Sequence, residues 1–226
     1  MTARNWILAF LAWSSLSIAQ VPPTVAEKAA YTGLFAAAVK GDAAQIKQLA
    51  AKSAQIDAKD AYGRTPLHVA TYGAKHDAMR ALAATGANPN ALENDRYDIV
   101  TISAVANDVP TLKVALELGG SAKNITSRYD GTALIAAAHL GHAEVVRMLI
   151  KAGAPLDHVN NLGWTAVIES IVLGDGGKRH VDTLEALIDA GANLNLADRQ
   201  GQTPLMLAQA RRYAAMVDML KQAKAR

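Results

Sequence analysis

Six histidines and one glycine-rich basic stretch are the residues of this 226-residue chain whose types could do chemistry. A catalytic or zinc-binding role needs two or three imidazoles, or imidazoles and carboxylates, to converge. His68, His76, His139, His142, His158 and His180 are scattered along the chain with no carboxylate at ligand spacing. No metal site is expected, and His68 and His142 read as packing residues. The stretch Gly174-Asp175-Gly176-Gly177-Lys178-Arg179 has the composition of a phosphate loop. Such a loop follows a strand, and Ser or Thr follows its lysine to open a helix. Here the preceding run has a helical pattern and Arg179 follows the lysine, so a flexible insertion is the expectation. No paired carboxylates or Ser/His/Asp set can be placed on one face, and the chain has no cysteine. That excludes a disulfide framework, thiolate metal sites and cysteine nucleophiles. No catalytic residue and no cofactor are expected, and the chain does not read as an enzyme.

The elements that position these residues repeat. Thr65-Pro66-Leu67-His68-Val69-Ala70 aligns with Thr203-Pro204-Leu205-Met206-Leu207-Ala208 and with Thr132-Ala133-Leu134-Ile135-Ala136-Ala137. The same slot is filled by Thr32, Asp98 and Thr165, so that the anchors at 32, 65, 98, 132, 165 and 203 are spaced by 33, 33, 34, 33 and 38 residues. Thr or Asp there can cap a helix, and Pro66 and Pro204 then sit at its first position, where no donor is lost. Runs such as Val145–Ile150 and Leu184–Ile188 supply the apolar stripe of a second helix. Glycines near each repeat end, Gly86, Gly119, Gly153 and Gly191, suit a left-handed C-cap.

With this period and these motifs, the chain resembles the ankyrin-repeat family over residues 27 to 222. The resemblance implies an all-α solenoid of helix-turn-helix units with projecting β-hairpins, each burying itself against its neighbours. The organisation expected is an export signal at 1–19, a linker at 20–26, and six repeats at 27–59, 60–92, 93–126, 127–159, 160–197 and 198–226. Several departures stand out. Ala74 and Asn107 replace the mid-repeat glycine, and Ser53 replaces the terminal one. Repeats two and three are therefore expected to be less regular. Repeat five carries a five-residue excess within 174–181, expected as a loop in which Gly176 is free while Gly153 is constrained.

The family's ligand-facing positions fall on the hairpins and the first helices. Tyr31, Tyr62, Tyr97, Tyr129 and Trp164 are placed on the hairpins, and Tyr72 and His139 on exposed slots of first helices. Arg64, Arg96, Arg128 and Arg199 would be their polar partners on the same edge. Tyrosine and tryptophan often dominate interface energy because they bury large area at little rotamer cost. The alternative is that each ring packs on the next hairpin, and both roles can hold together.

Met1–Ala19 has one charge, Arg4, then the apolar run Trp6–Trp13 and the small residues Ser17 and Ala19. That is the pattern of a secretory signal cleaved before Gln20. An uncleaved anchor and a buried N-terminal helix are the other readings. Loss of Arg4 takes the formal charge from +3 to +2, too little and too evenly mixed for a nucleic-acid ligand. The expectation is a periplasmic or secreted monomer that binds a protein partner of unidentified nature, with no membrane contact after cleavage. An accessory role beside a periplasmic enzyme such as a catalase in oxidative-stress defence, or a host-directed effector, are the alternatives.

Overall fold

A computed structural model describes residues 20–52 and 55–225. The signal expected at 1–19 and the Ser53 departure lie outside the described residues. Helix α1 (Val25–Ala30) precedes six helix pairs: α2 (Gly33–Lys40) with α3 (Ala43–Ala50), α4 (Pro66–Tyr72) with α5 (His76–Ala84), α6 (Ile99–Val105) with α7 (Val109–Glu117), α8 (Ala133–Leu140) with α9 (Ala143–Lys151), α10 (Ala166–Val172) with α11 (Lys178–Asp189), and α12 (Pro204–Ala210) with α13 (Ala214–Gln222).

The first helix of each pair starts where the anchor puts it. Thr65, Asp98, Thr132, Thr165 and Thr203 accept from the backbone N–H three residues on, satisfying a donor the helix leaves orphaned. Thr32 makes no such bond. First helices pack on first helices along the stack, and second helices on second helices, giving two layers. Between them lie Leu67, Leu134 and Ile168 of the first layer and Met79, Leu112, Leu149 and Leu187 of the second, all fully buried. Alanines such as Ala70, Ala104, Ala137 and Ala208 let the helices approach closely. His68 is part of this packing: its Nδ1 accepts from Thr65 N at 3.0 Å and its Nε2 faces the carbonyls of Ala91 and Tyr97. Burial pushes its pKa down and keeps the ring neutral. His142 faces the Ala104 carbonyl at 3.0 Å.

The projecting hairpins are turns: among the described residues there is no strand, only an isolated bridge between Thr126 and Gly131. Repeats two and three keep the regular form, contrary to expectation, because Ala74 and Asn107 adopt the left-handed conformation themselves, with φ of 49° and 54°. Alanine carries a Cβ penalty there that glycine does not. Ala74→Gly should therefore raise stability by about 1 kcal/mol, read as a higher denaturation midpoint. An unchanged or lower midpoint would show that the position carries no strain.

Repeat five also differs from its expectation. The loop is only Leu173–Gly177, and Lys178–Val181 form the first turn of α11, which at 12 residues exceeds the other second helices. Asp175 Oδ1 accepts from Gly177 N at 2.9 Å and faces His180 Nδ1 at 2.9 Å, while His180 Nε2 faces the His139 carbonyl at 2.9 Å. This buried imidazole pins the loop to the preceding repeat. Tyr213 covers it from the other side, donating its hydroxyl to the Gly174 carbonyl at 2.9 Å.

Candidate functional site

One side chain organises four of the five turns between repeats, and in the fifth Ser127 Oγ accepts from Tyr129 N alone. Asp60 Oδ1 accepts from the N–H groups of Tyr62 and Arg64, and Asp60 N donates to Arg64 O. Glu93 does the same for Asp95 and Tyr97, Asn160 for Leu162 and Trp164, and Asp198 for Gln200 and Gln202. These acceptors recur with the period of the anchors, a signal that sequence reasoning had available and did not use. The turns are then joined into a ladder. Asn94 N donates to Tyr62 O at 3.0 Å, Ser127 N to Arg96 O at 3.1 Å, and Asn161 N to Tyr129 O at 2.9 Å. Ion pairs cross between neighbouring turns, Arg128 with Asp95 at 2.7 Å and Arg96 with Asp130 at 2.6 Å. Arg199 donates to the Asn161 carbonyl. Being exposed, these pairs fix geometry more than they stabilise.

The expected edge residues therefore divide. Arg64 is 1% exposed, its guanidinium spanning Asp60 at 2.7 Å, Glu27 at 2.6 Å and the Val21 carbonyl at 3.0 Å. Tyr97 is 5% exposed, and its hydroxyl pKa is pushed up to about 12 by burial and by Asp95. Both were expected on the exposed edge, and both are buried, Arg64 beneath the Val21 carbonyl. Tyr31 stacks on Phe35 with ring centroids 5.0 Å apart and donates its hydroxyl to Asp60 at 2.6 Å. Burial, then Asp60, raises its pKa. Arg96, Arg128 and Arg199 are exposed but engaged within the ladder.

What remains presented is Tyr62, 44% exposed with the Arg64 guanidinium 4.5 Å from its ring centre, and the half-buried Tyr72, Tyr129, His139 and Trp164. Tyr72 has its pKa raised by burial and then by Glu93, whose own carboxyl is pushed up by burial. Behind His139 lies Glu169, which sequence reasoning missed. It occupies the slot that Val69, Ile102, Ala136 and Leu207 fill in other repeats, a carboxylate in an apolar column. Its Oε1 accepts from Asn160 Nδ2 at 2.9 Å, and its buried Oε2 lacks a hydrogen bond, with His139 Nδ1 at 3.3 Å. Among the described residues no cluster of His and carboxylates is placed to hold a metal, and no helix is long and apolar enough to cross a membrane.

Comparison with known proteins agrees with this geometry. The family model for ankyrin repeats, three copies, matches residues 12–93 and 100–198. The Escherichia coli ankyrin repeat protein YahD is 30% identical over 185 residues, covering 81% of this chain and 92% of that protein. An ankyrin repeat domain of Acinetobacter baumannii superposes with a TM-score of 0.79 at 41% identity, covering 85% of this chain and 98% of that one. The ankyrin repeat domain of Bcl-3, a member of the IkappaB family, gives 0.77 at 25% identity, covering 87% and 88%.

Proposed function

Because the chain belongs to the ankyrin-repeat family, a protein–protein interaction module, we propose that it is exported and binds a partner protein through its hairpin edge and the adjoining first-helix face. The observation that carries this is Tyr62, held 44% exposed on a turn whose backbone is bonded to the next repeat. A large aromatic on a rigid mount loses little entropy on binding, the property of interface hot spots. Tyr129 and Trp164 continue the line, and Tyr72 and His139 flank it on the first helices. With helix pairs about 10 Å apart, six repeats give a face roughly 50 Å long, enough for about 800 Å² per partner. The pattern of residues 1–19 supports export into the periplasm or beyond.

The test is a triple variant, Tyr62→Ala, Tyr129→Ala and Trp164→Ala, none of whose side chains is fully buried. A partner captured with wild type should bind it at least 30-fold more weakly, the loss if only one of the rings contributes a hot spot's energy of about 2 kcal/mol, with circular dichroism unchanged. Undiminished capture would place the binding site elsewhere. N-terminal sequencing of the exported protein should begin at Gln20, and Met1 or Thr2 on soluble protein would remove the export assignment.

A further inference from the structure

The residues expected as a spacer before the first repeat are docked. Gln20 Nε2 donates to the Thr101 carbonyl at 3.2 Å, and the Val21 carbonyl accepts from Arg64 Nη1 at 3.0 Å. Pro23 is buried while Val21 and Pro22 face solvent. The chain then enters α1 through a capping box in which Thr24 Oγ1 accepts from Glu27 N and Glu27 Oε2 accepts from Thr24 N. Glu27 Oε1 in turn takes Arg64 Nη2 at 2.6 Å. A segment preceding repeat one thus runs back over the first-helix side of repeats two and three, reaching Arg64 of the one and Thr101 of the other.

We propose that Gln20–Pro23 is a resident occupant of a peptide seat on repeats two and three, and that an extended partner segment of the form Gln-x-x-Pro takes this seat by displacing it. The inference rests on the protein-binding reading and specifies the partner's chemistry. None of the contacts needs the strap to be covalently attached. One is a main-chain carbonyl on a guanidinium that Asp60 holds through Nε at 2.7 Å, another a side-chain amide on a main-chain carbonyl, and the third a proline ring in a covered position. Arg64 is oriented by Asp60 and Glu27 whether or not a carbonyl sits on Nη1, so the seat is preorganised. The occupant is releasable: four residues with two hydrogen bonds gain little over the entropy of ordering them, and the proline pair reduces that cost. Its tether supplies a local concentration on the order of millimolar, which an incoming segment must exceed.

A fluorescein-labelled Gln-Val-Pro-Pro-Thr peptide is titrated into wild type and into a variant with Gln20, Pro22 and Pro23 all changed to glycine. The variant should bind it at least tenfold more tightly than wild type, and a Glu-Val-Gly-Gly-Thr control peptide should bind neither. Since the chain has no cysteine, a nitroxide at Val21→Cys gives a second reading that does not depend on the glycine variant folding. The label should be immobilised in the free protein and released by saturating peptide. Equal affinities, no binding up to millimolar peptide, a label already mobile, or a concentration-dependent dimer that exchanges straps would each overturn the proposal. Loss of partner capture in the triple aromatic variant with no strap effect would leave the binding reading standing and remove this one.

Discussion

Arg64→Ala is expected to lower stability by about 3 kcal/mol or more, the cost of removing one partner from a buried ion pair. The side chain is 1% exposed and supplies a donor to Asp60, to Glu27 and to the Val21 carbonyl, so truncation removes three charge-assisted bonds and leaves Asp60 with only the Tyr31 hydroxyl and two backbone N–H groups. Lysine would not restore them, because one ammonium cannot present the planar fork that reaches all three. Arg128→Ala, exposed and paired only across the ladder, should shift the urea midpoint little by comparison. Equal shifts for the two would show that burial around Arg64 carries no energy. The pH dependence has a defined sign. Burial alone would raise the pKa of Asp60, but the bonds from Tyr31 and Arg64 outweigh it and hold it below 3.8. A depressed folded-state pKa stabilises above the unfolded value, and that stability is lost as pH falls through the folded value. Acid should therefore cost wild type more than Arg64→Ala below about pH 4.

Gly176→Val is expected to destabilise more than Gly153→Val, the reverse of what composition suggests. Both glycines have positive φ, +70° and +82°, so both substitutions carry left-handed strain of about 1–3 kcal/mol. They differ in what a new Cβ meets. At Gly153 the nearest atom is Lys123 Cε at 3.4 Å, the end of a mobile side chain. At Gly176 it is the Tyr213 ring, inside contact distance and tethered through its hydroxyl to Gly174. Displacing that ring should add about 2 kcal/mol. A lower melting temperature for Gly153→Val would show that Tyr213 does not brace the loop.

The repeat register, the threonine and aspartate caps and the terminal glycines were legible because each rests on contacts within a few residues. Depth of burial was not. Tyr31, Arg64, Tyr97, Gly131, Trp164 and Gln202 share one slot before the anchor, yet Arg64 is buried and Trp164 is half-exposed. What decides is chain arriving from elsewhere: Val21, more than forty residues upstream, covers Arg64. The helical turn Lys178–Val181 was hidden for a similar reason. Its hydrophilic composition reads as loop, while the contacts that fix it, His180 to the His139 carbonyl and Tyr213 to Gly174, join different repeats. Ala74 and Asn107 show the opposite error, a local rule broken while the surrounding packing held the backbone in place.

The hairpin ladder also bears on how such a chain can change length over generations. Each rung joins a carbonyl of one turn to an N–H of the next, 31 or 32 residues later: Tyr62 to Asn94, Arg96 to Ser127, Tyr129 to Asn161. Duplicating or excising one whole repeat brings an equivalent carbonyl opposite an equivalent N–H, so the joint closes again. A single added residue is taken up by a shift of register: the turn Thr126–Gly131 is one residue longer than Asp60–Arg64 or Glu93–Tyr97, yet it still donates from Ser127 N to Arg96 O and accepts at Tyr129 O from Asn161 N. At the opposite edge, where first and second helices join, the bonds between repeats come from side chains, His142 to the Ala104 carbonyl, His180 to that of His139 and Tyr213 to that of Gly174, and that is the side on which repeat five absorbed its extra residues. The ladder thus favours growth in whole repeats, while single residues are taken up by a shifted rung on one edge and by side-chain bonds on the other.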